Sequence, residues 1–411
     1  MTRQRRIVVG LVALAAASAG AVPLLNAIDG ARGPIDFARD FTAARALAHG
    51  DRRYAIDAER HNREAAAAET PTVPLHGGPY LPHPPPATVA LLPLAPLSFG
   101  AASALWLLLS LAALVSLARV LADLLWPQAR AAVARTAALT GALLLWPPVL
   151  HNFEKGQWSI VLAALTALAW RTRAAGRSAG AGVLVGVAAS LKVMPGSVVA
   201  FFVARDRRAA VAAFVAMVVM VMATLPLTGV SPWLTFVEQS GANVRALETW
   251  YANTASLHGL WARLFVGGAY AQPLMAAPLL GRALQSATIA TLLAVALTVT
   301  VRYCRFRSPT GEADRALFAL WATLAVLLNP LAWAHTVVLL ALPIALLFSD
   351  GDSLALGGAL VLLSIPKETL YSLAGAPPVA AGRAWLLSLH AVGALIVFGL
   401  AARRARGGRD D

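Results

Sequence analysis

The chain has 411 residues, of which 58% are hydrophobic and only 13% charged, against about 45–50% and about 25% in ordinary soluble domains. Apolar runs of about 20 residues recur along almost the whole length, which excludes a string of soluble domains and points to a single membrane-embedded domain over 1–411. The net charge of +14 comes from arginines in short clusters between apolar runs, so nucleic acid is not an expected partner, and the lone Cys304 excludes an intrachain disulfide.

In chain order, segment 7–26 follows Arg3, Arg5 and Arg6 and reads as a first span with a cytoplasmic N-terminus. A cleaved signal peptide is the rival reading, resting on the same basic start and on Ala17-Ser18-Ala19. Residues 27–97 then form a long external loop whose arginines are interleaved with Asp and Glu. Apolar stretches follow at 98–125, 131–150, 156–170, 179–191, 195–204, 209–227, 284–301, 315–331, 333–348, 354–366 and 384–402. The expectation is an all-α polytopic membrane protein of about 12 segments, some short or re-entrant, with a second external loop at 228–283 and a cytoplasmic tail at 403–411. Alternation places Arg130 with Arg135, Arg171 to Arg177, Arg205 to Arg208, and Arg302 to Arg307 on the inside. Because Arg177 and Arg205 must share a side, 179–204 goes out and returns, turning at Lys192-Val193-Met194-Pro195.

The chemically interesting residues then fall on one face: the first loop, the turn His151 to Gln157, Lys192, the loop 228–283, the corner Asn329 to His335 and the loop 367–383. No Gly-x-x-x-x-Gly-Lys loop or dinucleotide fingerprint is present, so a cytoplasmic nucleotide site has no support. Nor is there a His-Glu-x-x-His or Asp-x-Asp metal pattern; the nearest, Asp350-Gly351-Asp352, falls on the inside, and no metal or other cofactor is expected.

The three lysines, Lys155, Lys192 and Lys367, all map to the outer half. A lysine head group suits a phosphate, the plainer alternative being snorkelling towards lipid headgroups. Lys192 interrupts an apolar stretch, where a charge is costly and marks a site or pathway. Asp36 stands at the outer mouth of the first apolar segment, where a carboxylate could act as general base or merely cap a helix. Asp40, one helical turn on, could share that site, although the sequence favours a solvated residue.

These residues carry a resemblance. Asp36-Phe37 with Ala43-Ala44-Arg45, then Gly50 and Tyr54, precede a proline-rich stretch at Tyr80 to Pro86 and Leu92 to Pro96. Asn152, Gly156-Gln157, Gly182, Gly186, Lys192, Pro195 and the basic residues Arg205 to Arg208 follow, then Asn253, Ser256-Leu257-His258-Gly259, Arg263, Pro330, Trp333 and His335. In this order they resemble glycosyltransferase family 87, membrane enzymes of the GT-C type that include polyprenol-phosphate-mannose-dependent α-mannosyltransferases.

The resemblance implies a GT-C-like bundle with external loops forming the site, in the plasma membrane and facing the periplasm or exterior. It implies inverting transfer of a sugar, mannose first, from a polyprenyl-phosphate donor to a glycolipid or cell-envelope glycan. Asp36 would be the catalytic base, with His335, Lys192, Gln157, Asn152, Lys155, Asp40, His258 and Arg263 as substrate contacts; His151 and His83 are weaker candidates. Asp40 stands where the family has an aromatic, the Asn253 to Ser256 spacing is one residue long, and Thr336 replaces a second His; these departures bear on the acceptor. A transporter or lipid flippase is the rival from another class, and a non-catalytic scaffold the third.

Overall fold

The computed structural model describes residues 21–50, 83–127, 131–238, 240, 255–268, 271–306, 311–348 and 353–407. Its helices, in chain order, are α1 (Ala21–Arg32), α2 (Ile35–Ala48), α3 (Pro85–Ala90), α4 (Phe99–Leu125), α5 (Ala132–Leu144), α6 (Pro147–Lys155), α7 (Ser159–Ala174), α8 (Ser178–Leu191) and α9 (Val198–Arg205). They continue with α10 (Arg207–Thr228), α11 (Leu257–Phe265), α12 (Pro278–Phe306), α13 (Gly311–Leu327), α14 (Ala341–Leu347), α15 (Ser353–Leu363), α16 (Lys367–Ala374) and α17 (Leu389–Gly407). Short 3-10 turns lie at Leu92–Leu94, Met194–Ser197, Ala334–Leu340 and Ala381–Ser388.

The protein is helical and polytopic, but the described residues do not support the expected count of about 12 segments. Among the described residues four helices are long and apolar enough to cross a membrane: α4, α10, α12 and the run Ala381–Arg406. Counting α5 with α6, bent by 72°, and α15 with α16, bent by 82°, raises the number to six. The reason is length. A span needs about 20 residues, whereas α7, α8, α9 and α14 have 16, 14, 8 and 7. Hydropathy counts all four as segments, although 179–191 and 195–204 already read as too short for full spans. The first predicted span and the signal-peptide reading lie largely outside the described residues.

The long external loop predicted at 27–97 carries helical structure where it is described. It holds α2, α3 and the end of α1, and α2 buries Phe37, Ala38, Phe41, Ala44 and Leu47. Between the charged residues that made this stretch look like solvent-facing loop, Phe37, Phe41 and Ala44 still fall on one helical face. The predicted loop 228–283 likewise contains α11 and the start of α12, and α16 occupies part of 367–383.

α13 sits innermost, its residues from Ala316 to Leu327 all buried, as expected of a helix that is apolar all round. Lipid tails are as apolar as leucine, so close packing and polar links must hold such helices together. One link is Asp314 of α13, which accepts from Arg173 of α7 at 2.8 Å, Arg205 of α9 at 3.0 Å and Tyr303 of α12 at 2.9 Å. Another is close approach. A Cβ on Gly182 would lie 2.1 Å from the Ala209 carbonyl oxygen, and one on Gly186 would lie 2.4 Å from that of Ala213. Gly182 therefore lies beside Ala209 and Gly186 beside Ala213, so α8 and α10 run parallel with their arginine ends, Arg177 and Arg207, adjacent. α9 makes the return between them, the out-and-back path that the arginines required.

Gly186→Leu should force α8 and α10 apart and cost about 1–3 kcal/mol, as overpacking does. The expected outcome is a lower melting temperature of the purified protein in detergent; an unchanged melting curve would show that this contact does not hold the pair.

Candidate active site

The site is built on one tight turn. Pro147 and Pro148 occupy the first positions of α6, where a missing N–H costs nothing. Gly156 ends the helix in the left-handed region at φ +68. Gln157 N donates to Asn152 O at 3.1 Å, and Asn152 Oδ1 accepts from Ile160 N at 3.3 Å, so Asn152 stitches the end of α6 to the start of α7. Its backbone and side-chain oxygens thus shape the turn.

Residues 156–158 each receive a residue of α2. A Cβ on Gly156 would lie 2.6 Å from Phe37 Cβ, so glycine lets the helix seat fully. Gln157 Nε2 donates to Asp36 Oδ2 at 2.7 Å, and Trp158 Nε1 donates to Asp40 Oδ2 at 3.0 Å. Asp36 and Asp40 are four apart and share a helical face, so both carboxylates meet the same turn. Trp106 Nε1 donates to Gly156 O at 3.0 Å and fixes the turn to α4 from behind.

The two carboxylates have different surroundings. Asp40 is 2% exposed and also accepts from His83 Nδ1 at 3.0 Å. An ionised carboxylate only accepts, so the shared hydrogen belongs to His83 Nδ1. The expectation of a solvated Asp40 is thus corrected: it is a buried anchor tying α2 to α7 and to the proline-rich stretch. Asp36 keeps 17% of its side chain exposed, with Arg39 Nη1 at 3.8 Å, and retains an open side towards which a substrate could approach.

Lys192 lies in the break after α8, outside every candidate span, and its Nζ donates to Gln157 Oε1 at 3.1 Å. One amide therefore links the carboxylate of Asp36 to the ammonium of Lys192. Burial pulls that ammonium down to about 8, against the upward pull of Asp36 and Asp40. The arrangement offers a hydrogen-bond acceptor and a cation on either side of a fixed amide, which suits deprotonating a hydroxyl while holding an anion.

His335 is 2% exposed on the turn Ala334–Leu340, and its ring centre lies 5.3 Å from that of His151. Thr336 closes that turn by accepting from Trp333 N at 3.2 Å, a structural use for the residue that replaces a second His. His151 Nε2 in turn lies 3.9 Å from Glu154 Oε2, so the two rings border a second polar group. The second group centres on Glu154, with Lys367 Nζ at 2.8 Å and Lys155 Nζ at 2.9 Å. Lys155, read from the sequence as a phosphate contact, is therefore paired with its neighbouring carboxylate. His258 and Arg263 lie on α11, where His258 bonds to Gln285 and Arg263 to Ser388. They belong to the packing of α11 and are not brought onto the turn at 156–158. Among the described residues no group of three His, Cys, Asp or Glu side chains could hold a metal ion.

Sequence reasoning missed Trp158, and it missed Glu154 as the partner of two lysines. A tryptophan directly after Gly156-Gln157, with an indole N–H that must find an acceptor when buried, was the available signal for the first.

Asp40→Asn replaces an acceptor of two buried hydrogen bonds with a group that must turn a donor towards one of them. The loss should be about 1–3 kcal/mol, seen as a lower melting temperature in detergent. Asp36→Asn should melt like the unchanged protein; the reverse order would contradict the assignment of Asp40 as anchor.

The sequence profile of glycosyltransferase family 87 matches residues 80–330, which takes in the turn at 156–158 and Lys192 while Asp36 and His335 lie beyond its ends. A polyprenol-phosphate-mannose-dependent alpha-(1-2)-phosphatidylinositol pentamannoside mannosyltransferase of Mycolicibacterium smegmatis is 29% identical over 341 residues, covering 78% of this chain and 74% of the relative. No solved structure matches. With more than half of its length matched by the family profile, the chain belongs to glycosyltransferase family 87 and is a membrane-embedded glycosyltransferase.

Proposed function

We propose that the protein transfers a sugar, mannose first, from a polyprenyl-phosphate donor to a glycolipid or cell-envelope glycan acceptor, with inversion at the anomeric carbon. The observation that carries this reading is the chain Asp36–Gln157–Lys192, with its contacts of 2.7 and 3.1 Å. The relative's printed name supports the donor class and a lipid-linked acceptor. In this reading the whole chain, 1–411, works as one GT-C-like domain in the plasma membrane, with its site facing the periplasm or exterior.

The steps follow from the residues. Asp36 accepts the proton of the acceptor hydroxyl as the oxygen attacks the anomeric carbon. The bond from that carbon to the donor phosphate breaks, and the phosphate departs with its electron pair. Lys192 holds the growing negative charge on the leaving phosphate, with His335 as a further contact from its own turn. Gln157 positions both partners, because its amide donates to one and accepts from the other. Its role is orientation and not proton transfer.

Asp36→Asn keeps size and removes the basic carboxylate. Transfer from polyprenyl-phosphate mannose by the purified protein should fall about 100-fold or more, with little change in melting temperature. Near-normal turnover in this variant would remove Asp36 from the base role. An unchanged protein that moves the donor across a vesicle membrane without transferring the sugar would establish the transporter reading instead.

A further inference from the structure

A groove of about 740 Å³ runs between α8 and α10, apart from the residues around Asp36. On α8 it is lined by Ala179, Val183 and Val187, which are spaced by four and form one continuous ridge. On α10 it extends from Arg207 to Met220, a rise of about 20 Å at 1.5 Å per residue. Val211, Val215 and Val219 are 63%, 51% and 57% exposed, so this face of α10 is left to lipid. Half of a hydrocarbon core is about 15 Å; the groove therefore has the length of one acyl chain with its glycerol end.

Only one end of the groove is charged. Arg207 and Arg208 line it there, both exposed, and among the described residues neither makes an ion pair. The adjacent acid is already engaged: Asp206 accepts from Ala209 N at 3.1 Å and faces Arg173 at 3.8 Å. Arg177, just before α8, stands at the same end. Two unpaired guanidinium groups at the interface beside an apolar channel are complementary to a lipid whose phosphate carries a net negative charge.

We propose that this groove binds a diacyl phospholipid with an anionic headgroup, one acyl chain lying along α8 and α10 and the phosphate held by Arg207 and Arg208. The site is separate from the Asp36 group and does not depend on which sugar is transferred. A polyprenyl phosphate fits less well, because its anion would have to sit at the arginine end, where α8 begins, while Lys192 lies just beyond the opposite end of that helix.

Native mass spectrometry of the full-length protein in mild detergent tests this, with phosphatidylglycerol, phosphatidylcholine and polyprenyl phosphate as added lipids. Wild type should retain phosphatidylglycerol about 10-fold better than phosphatidylcholine, since a charge-assisted contact is worth that factor or more. The double variant Arg207→Gln with Arg208→Gln should lose this preference, and Arg207→Lys with Arg208→Lys should keep most of it. Val211→Trp, which fills the groove without touching the charge, should lower retention of both phospholipids. Equal retention of the two phospholipids by wild type, an undiminished preference in the Gln pair, or polyprenyl phosphate displacing phosphatidylglycerol from wild type but not from the Val211→Trp variant would each overturn the proposal.

Discussion

Everything at the site depends on α2 being held against the turn at 156–158. The turn offers three different surfaces in three consecutive residues: a bare backbone at Gly156, an amide at Gln157 and an indole N–H at Trp158. α2 answers with an apolar side chain, Phe37, and two carboxylates one helical turn apart. A side chain at 156 would strain a left-handed residue and collide with Phe37, so glycine is required twice over. Neither helix could define this geometry alone. α6 is short, and a carboxylate on an undocked α2 would face solvent in many rotamers.

Burial separates the roles of the two acids. Asp40, desolvated on all sides, is stable only because two donors reach it, and such a group is rigid and costly to disturb. Asp36 has one strong partner and an open side. The same helix thus carries a structural carboxylate and a chemically available one, and the first fixes the aim of the second. The arrangement repeats on a larger scale around Asp314, where one partly buried acid gathers Arg173, Arg205 and Tyr303 from three helices. In a protein whose helices gain little from hydrophobic contact with one another, satisfied polar links of this kind decide which helices are neighbours.

Much of this was legible in the residues and some was not. Apolar content gave the membrane class, and the arginine clusters gave the relation of 179–191 to 195–204, because charge position survives whatever the helix lengths turn out to be. Asn152, Gly156, Gln157 and Lys192 could be picked out as a set, and all four share the turn or bond to it. The number of spans was harder to read because hydropathy does not report helix length: α7, α8, α9 and α14 have 16, 14, 8 and 7 residues, short of a full span. Asp40 was misread because its partners, His83 and Trp158, lie 43 and 118 residues away in sequence. No periodicity in a single chain reports such contacts. The partner of Lys155 is the adjacent Glu154, which local sequence did offer.

The central claim is that one turn sets a carboxylate and a cation on either side of the place where the donor's phosphate–sugar bond breaks. A cryo-electron microscopy structure of the protein with bound polyprenyl phosphate would test it directly. The account predicts the phosphate within hydrogen-bond distance of Lys192 Nζ, with the Asp36 carboxylate facing the position of the anomeric carbon and still bonded to Gln157. A phosphate seated on Arg263 or at the arginine end of α10, with Lys192 left free, would contradict it.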